Sequence, residues 1–349
     1  MPVLYLKSTL QAVPESRQLS LKVRAMAWKK DDKLHDNRYT IERELGRGRL
    51  DITYLARDRK EHSLAIKTLS DEFLSQLRKR EKERLQEKYL QEAVKLARYR
   101  HPHIVRVKEP FLEGEQVCMA MEYVKGVDLA SHTQKALPEQ EALRYIQQIG
   151  EALKVVHEDG LVHRDVKPSN IMLRAGKPEV VLIDFALARG CNNALTTATT
   201  ADNFAPLEVY QVGTQMAPYT DVYSLAATLY FLVTGQVPPS ARERSEGKAE
   251  LKAPNEINPH VSDRLSKAIL EGMALAAQER PQTMQLWLDL LGVPSATPVP
   301  WRKWDLKIGL AVIGVVGVLG AIALGFALKP ASPPPQKSTP SDAPASQLR

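Results

Sequence analysis

The sequence predicts an α+β protein with a separate apolar helix near its C-terminal end, and three observations carry that expectation. Short strand-like runs crowd the first third of the chain: two joined by a glycine-containing turn over 45–56, one over Ser63–Lys67 and a buried-type strand over Val117–Met121. Between them, Leu90, Ala93, Val94 and Ala97 recur at helical spacing. Finally, residues 308–328 contain no charge and no proline. At about 1.5 Å per residue that run spans roughly 30 Å, the hydrocarbon thickness of a bilayer. The 349 residues, 44% of them apolar, leave room for one core-bearing domain plus flanks.

The most specific stretch is Val162-His163-Arg164-Asp165-Val166-Lys167-Pro168-Ser169-Asn170, followed later by Asp184-Phe185-Ala186. It mixes charges and a proline in a way that neither helix nor strand periodicity requires. In phosphoryl transfer the protein makes few covalent bonds, so a base, a cation and metal ligands must share one frame. Asp165 suits the base that orients and deprotonates a hydroxyl, and Lys167 suits the cation facing the transferred phosphate. Asn170 and Asp184 offer the oxygen ligands that Mg²⁺ prefers.

This string resembles the catalytic loop of a protein kinase, and further landmarks follow in the order that such a chain requires. Leu45-Gly46-Arg47-Gly48 opens a phosphate lid, and Lys67 ends an apolar strand where the family keeps the cation that grips the α- and β-phosphates. Glu92, on the predicted helix, would be its ion-pair partner. Ala205-Pro206-Leu207-Glu208 is similar to the segment that closes the activation loop. Glu208 would pair with Arg280, and Asp221 would brace the catalytic-loop backbone. The resemblance runs from about Tyr39 to Leu291.

What it implies is a bilobal fold, a small antiparallel-sheet lobe carrying the Glu92 helix and a larger helical lobe, with ATP between them. The ATP site would comprise Gly46, Arg47, Gly48 and Thr53 of the lid, Ala65 and Lys67 of the next strand, and the hinge residues Met121, Glu122 and Val124. Mg²⁺ is the implied metal, with Mn²⁺ as its substitute. Lysine two residues after Asp165 resembles serine/threonine-directed members, so the implied acceptors are protein Ser and Thr hydroxyls. The resemblance is to eukaryotic-like serine/threonine kinases of bacteria, cyanobacteria among them.

The chain departs from the family pattern in places. Asp51 stands where the lid's third glycine is expected, Thr53 where a valine is expected, and Ala186 where a glycine follows the metal aspartate. Because Ile52 and Tyr54 keep the alternation of a strand, Asp51 is expected to face solvent. The short activation segment carries Thr196, Thr197, Thr199 and Thr200, and a phosphothreonine there would pair with Arg164. The competing function is a nucleotide-gated scaffold with turnover weakened by Asp51 and Ala186. A small-molecule phosphotransferase is disfavoured by Lys167 and the Glu208–Arg280 pair.

The flanks complete the plan: a basic extension (1–38), the kinase domain (39–292), a linker (293–307), the membrane helix (308–328) and a Pro/Ser-rich tail too short to fold (329–349). The net charge of +7 sits on the extension, linker and tail, where it can meet anionic lipid, and no aromatic-basic stripe argues for nucleic acid. Cys118 and Cys191 lack metal-ligand or disulfide spacing. The run from Arg78 to Arg84 alternates in sign and reads as a solvated helix face. Trp301, Arg302, Lys303, Trp304 and Lys307 on one side and Lys329 on the other bracket the span as interface anchors. The N-terminus lacks an export leader, so the kinase domain is expected in the cytoplasm and the tail outside. Gly317, Ala321 and Gly325 at four-residue spacing suggest a homodimer through the span.

Overall fold

A computed structural model describes residues 28–133, 135–185, 203–211 and 213–293. These form a sheet-rich small lobe and a helical large lobe, as the sequence predicts. The small lobe is a six-stranded antiparallel sheet of β1 (Lys33–Leu34), β2 (Tyr39–Arg47), β3 (Asp51–Asp58), β4 (Ser63–Leu69), β5 (Val107–Glu113) and β6 (Gln116–Glu122). Its spatial order is β1-β2-β3-β4-β6-β5.

Strand periodicity decides which residues face the cleft. Ile52, Tyr54, Ala56, Leu64, Ile66, Cys118 and Ala120 pack with Tyr39, Ile41 and Phe111 into a core on one face of the sheet. A period of two therefore turns Asp51, Thr53, Ala65 and Lys67 to the other face. The register aligns them across strands, with Thr53 opposite Lys67 and Ala65 opposite Met121.

The helix predicted around Glu92 is longer than its apolar spacing suggested. After a short helix α1 (Asp71–Ser75), α2 runs over Lys79–Leu96. Its first turns carry the alternating charges into solvent. Leu85, Tyr89, Leu90, Glu92, Ala93 and Leu96 form the buried face, while Val94 is only half-buried. Trp28 packs on the sheet beside Tyr54, and β1 pairs with β2. Trp28 and the Lys33–Leu34 strand thus pack onto the small lobe's sheet from the N-terminal side of Tyr39.

The large lobe is built on two long helices. Following β7 (Gly126–Asp128) and α3 (Leu129–His132), α4 spans Glu139–His157. Strands β8 (Ile171–Arg174) and β9 (Val180–Leu182) complete a three-stranded sheet with β7 beneath the cleft. Helix α5 (Pro218–Thr234) is buried on every side from Thr220 to its end, as befits a central helix surrounded by others. The short helices α6 (Ala241–Ser245) and α7 (Pro254–Ile257) precede α8 (Asp263–Gly272) and α9 (Met284–Leu291). Trp287 of α9 is fully buried and donates its indole N–H to the Ala268 carbonyl at 2.9 Å. A Cβ on Gly272 would come within 2.7 Å of that ring, so only glycine admits the close packing of α8 there.

Among the described residues no helix is long and apolar enough to cross a membrane. The run 308–328 with Gly317, Ala321 and Gly325, its anchors and the tail lie outside the described residues, as do Ala186, Cys191, Thr196, Thr197, Thr199, Thr200 and most of the extension.

Candidate active site

The catalytic-loop string lies between α4 and β8, and its shape is fixed from below by one buried carboxylate. Asp221, inaccessible on α5, accepts hydrogen bonds from the backbone N–H groups of His163 (2.8 Å) and Arg164 (2.9 Å). His157 Nε2 lies 2.8 Å from the same carboxylate. Burial alone would raise the Asp221 pKa, but His157 and His163 outweigh it and keep the carboxyl below its ordinary value. These bonds let Arg164 adopt a left-handed φ of 68°, a conformation disfavoured for a side-chain-bearing residue.

His163 joins this loop to the segment that carries Asp184. Its Nδ1 accepts from the Asp165 N–H at 3.3 Å, which leaves Nε2 to donate to the Ile183 carbonyl at 2.9 Å. Burial lowers the His163 pKa, consistent with that neutral tautomer. Phe185 is buried against the same imidazole, with ring centroids 4.4 Å apart. Next to it, Asp184 has a φ of 66°.

Asp165 is ordered by two neighbours. Asn170 Nδ2 donates to its backbone carbonyl (2.7 Å) and to Oδ2 (2.9 Å), while Lys167 Nζ lies 3.2 Å from Oδ1. With its amide nitrogen so engaged, Asn170 presents Oδ1 away from Asp165. A carboxamide oxygen and the Asp184 carboxylate are the partial, hard-oxygen set suited to Mg²⁺, which usually takes one or two carboxylates together with substrate phosphates.

Lys67 is the point at which the structure departs from the sequence reading. Its side chain is 3% exposed, and its ammonium is paired with Asp184 and, at 2.9 Å, with Asp51 Oδ2. The expected Lys67–Glu92 pair is not formed. Glu92 faces Arg164 instead, 3.8 Å away. Asp51 likewise faces the cleft, not solvent. Ile52 and Tyr54 do alternate into the core, but the opposite face of this strand lines the space between the lobes. Burial alone would lower the Lys67 pKa, yet Asp184 and Asp51 drive it above its ordinary value. Burial raises the Asp51 carboxyl, with the nearby Asp184 charge adding and Lys67 opposing. Burial also raises Glu92, against Arg164.

The remaining residues expected to meet a nucleotide divide by side chain and backbone. Thr53 and Ala65 share the face of Lys67, and Met121 and Val124 are buried at the end of β6. Arg47 points outward, its guanidinium 2.5 Å from Glu44, so only its backbone lies with the lid. Glu122 is bound by Arg174 of β8 at 2.6 Å. A Cβ at Gly46 would meet nothing within 4 Å, whereas one at Gly48 would come within 3.1 Å of Asp51 Oδ1.

Below the cleft, Glu208 and Arg280 form a bidentate pair with N–O distances of 2.7 and 3.1 Å, both residues buried. Thr220 Oγ1 donates to Glu208, and Arg280 also donates to the Ala274 and Leu275 carbonyls.

Sequence reasoning missed three contributors. Tyr89 sits one turn before Glu92 on the same face of α2; its hydroxyl is buried without a hydrogen-bond partner among the described residues. That spacing was a usable signal. His157 and Arg174 reach their partners across 64 and 52 residues, and nothing local announced them.

This combination of lobes, loop and ion pairs defines a protein kinase. The protein kinase domain model matches residues 39–287, and the chain belongs to that family. A probable serine/threonine-protein kinase of Clostridium perfringens is 30% identical over 264 residues, covering 72% of this chain and 37% of that protein. The serine/threonine-protein kinase PknB of Mycobacterium leprae is 28% identical over 279 residues, covering 75% of this chain and 44% of its own length. The chain thus spans less than half the length of these relatives. Among solved structures, the apo form of PpkA-294 superposes with a TM-score of 0.61 at 26% identity, covering 76% of this chain and 99% of that one. The kinase domain of Mycobacterium tuberculosis PknI gives a TM-score of 0.60 at 25% identity, with coverage of 76% and 99%.

Proposed function

We propose that this chain is an ATP- and Mg²⁺-dependent kinase that phosphorylates protein Ser and Thr hydroxyls, its own activation-segment threonines included, at the cytoplasmic face of a membrane. The observation that carries the reading is the meeting of Asp165, Lys167 and Asn170, bonded to one another, with Lys67 and Asp184 in one cleft. Bound Mg²⁺-ATP would supply the phosphoryl group and the divalent charge that offsets its oxygens. Asn170 Oδ1 and the Asp184 carboxylate would hold the metal, and Lys67 would grip the α- and β-phosphates. Asp165, oriented by Asn170, would take the proton of the attacking hydroxyl. Lys167 beside it would neutralise charge gathering on the transferred group. Asp221 keeps that loop in shape, and Glu208 with Arg280 ties the activation segment's end to the large lobe.

Membrane attachment rests on the sequence: an apolar run of bilayer length bracketed by Trp, Lys and Arg. Self-association through its small residues belongs to the same reading. A second reading, a nucleotide-binding scaffold with weak turnover, is favoured by Lys67 being engaged by Asp51 while Glu92 lies elsewhere.

The test is transfer of labelled γ-phosphate by the full chain in lipid or detergent, to itself, to a generic basic protein and to small hydroxylated compounds. Asp165→Asn is expected to lower transfer by about 10²–10⁴-fold, the usual share of a general base, with label in the parent mapping to Thr196–Thr200. A folded parent that binds Mg²⁺-ATP yet transfers nothing would leave the scaffold reading.

A further inference from the structure

We propose that Asp51 occupies the seat of a nucleotide phosphate on Lys67 and must leave it before ATP engages that lysine. The inference rests on the nucleotide-binding reading above and goes beyond it by assigning a role to a lid side chain.

Two independent contacts locate the Asp51 carboxylate. Oδ2 lies 2.9 Å from Lys67 Nζ, and Oδ1 lies 3.1 Å from where a Cβ of Gly48 would stand. Gly48 N–H also donates to the Asp51 backbone carbonyl at 2.8 Å, which closes the turn of the lid over this residue. The space between lid backbone and buried ammonium is where phosphate oxygens would be expected, and an anionic group of the chain already fills it. The strand register produces this: Asp51 lies opposite Leu69, two residues from Lys67 and on the same face.

Lys67 already has two carboxylates, Asp51 and Asp184. Adding phosphate oxygens would crowd a third anion around one ammonium in a poorly solvated space, where like charges repel strongly. One carboxylate has to move. Asp184 is fixed by its neighbour Phe185, buried against His163, and by the Ile183 backbone bonded to Asn170 and His163. Asp51 stands at the start of β3, directly after the short turn over 48–50 that Gly48 opens, whereas exposure does not separate the two side chains, 26% for Asp51 and 33% for Asp184. It is therefore the group that yields. Vacating the seat also frees one Lys67 contact, which Glu92 or a phosphate can take up. The kinase fold as such does not require this step, because glycine in place of Asp51 would have no carboxylate to withdraw.

The experiment measures binding of Mg²⁺-ATP and of adenosine to the full chain by calorimetry, for the parent, Asp51→Asn and Asp51→Gly. Asn keeps the shape of the side chain and Lys67 keeps Asp184, so folding is checked by thermal unfolding alongside. Both variants are expected to bind Mg²⁺-ATP roughly tenfold or more tightly than the parent, with adenosine, which has no phosphate, unchanged. Adding Lys67→Met should remove that gain, since the two residues act through one contact. Adenosine binding retained with Mg²⁺-ATP binding unchanged or weaker would overturn the proposal and make Asp51 a support for Lys67. An equal shift for both ligands would also overturn it, as a general effect on the cleft. A chain that binds neither ligand in any folded variant would remove the nucleotide reading itself.

Discussion

Two buried ion pairs in this molecule are built on opposite plans. Glu208 and Arg280 meet face to face, with both carboxylate oxygens and both terminal guanidinium nitrogens engaged and further bonds to Thr220 and backbone carbonyls. Lys67 is as deeply buried, yet its ammonium is shared by Asp51 and Asp184, while Glu92 waits near Arg164. The first arrangement has its charges satisfied in one geometry and so fixes structure. The second has more anions than its single cation can serve, and such an excess makes partners exchangeable. Burial alone does not separate scaffold from working site; the presence of rival partners does.

The contrast can be broken at its rigid end. Arg280→Met should leave Glu208 buried and unpaired, destabilising the large lobe by about 3–5 kcal/mol, read as a lower urea midpoint with an unchanged m-value. At the exchangeable end, Glu92→Gln should cost much less, because neutralising this buried carboxyl relieves its desolvation while giving up only a 3.8 Å contact with Arg164. Should phosphate transfer fall while the urea midpoint stays, Glu92 acts in a state in which it has moved to Lys67. A Glu92→Gln loss as large as that of Arg280→Met would erase the distinction between the pairs.

A smaller effect is expected from pH. Burial and the neighbouring His103 depress His101 from its ordinary 6.5 to about 4, so between these values the unfolded chain binds more protons than the folded one. Its contribution to stability is complete above about pH 6.5 and is lost as pH falls toward 4. His163, lowered by burial, acts in the same direction. Urea midpoints measured at about pH 7 and pH 4.5 should therefore converge partly, not fully, in His101→Asn.

Most of the fold was legible because its signals are local: alternation in β3, an apolar run ending at Lys67 in β4, helical spacing around Glu92, and a catalytic-loop string that no regular element requires. The limits were physical as well. Alternation at Ile52 and Tyr54 assigns a residue to one face or the other, but it does not say whether the second face meets water or another lobe, and Asp51 was misplaced for that reason. A helical repeat over Leu90–Ala97 likewise leaves the helix rotation loose by a fraction of a turn, enough to send Glu92 toward Arg164. His157 and Arg174 were invisible because their partners lie far along the chain.

The Arg174–Glu122 contact bears on how the two lobes move. It spans the crossing from the small to the large lobe at 2.6 Å, with a quarter to a third of each side chain exposed. A pair so wetted contributes on the order of 1 kcal/mol or less, not much more than thermal energy. It therefore acts as a soft spring across the hinge. A contact this weak cannot by itself latch one lobe to the other.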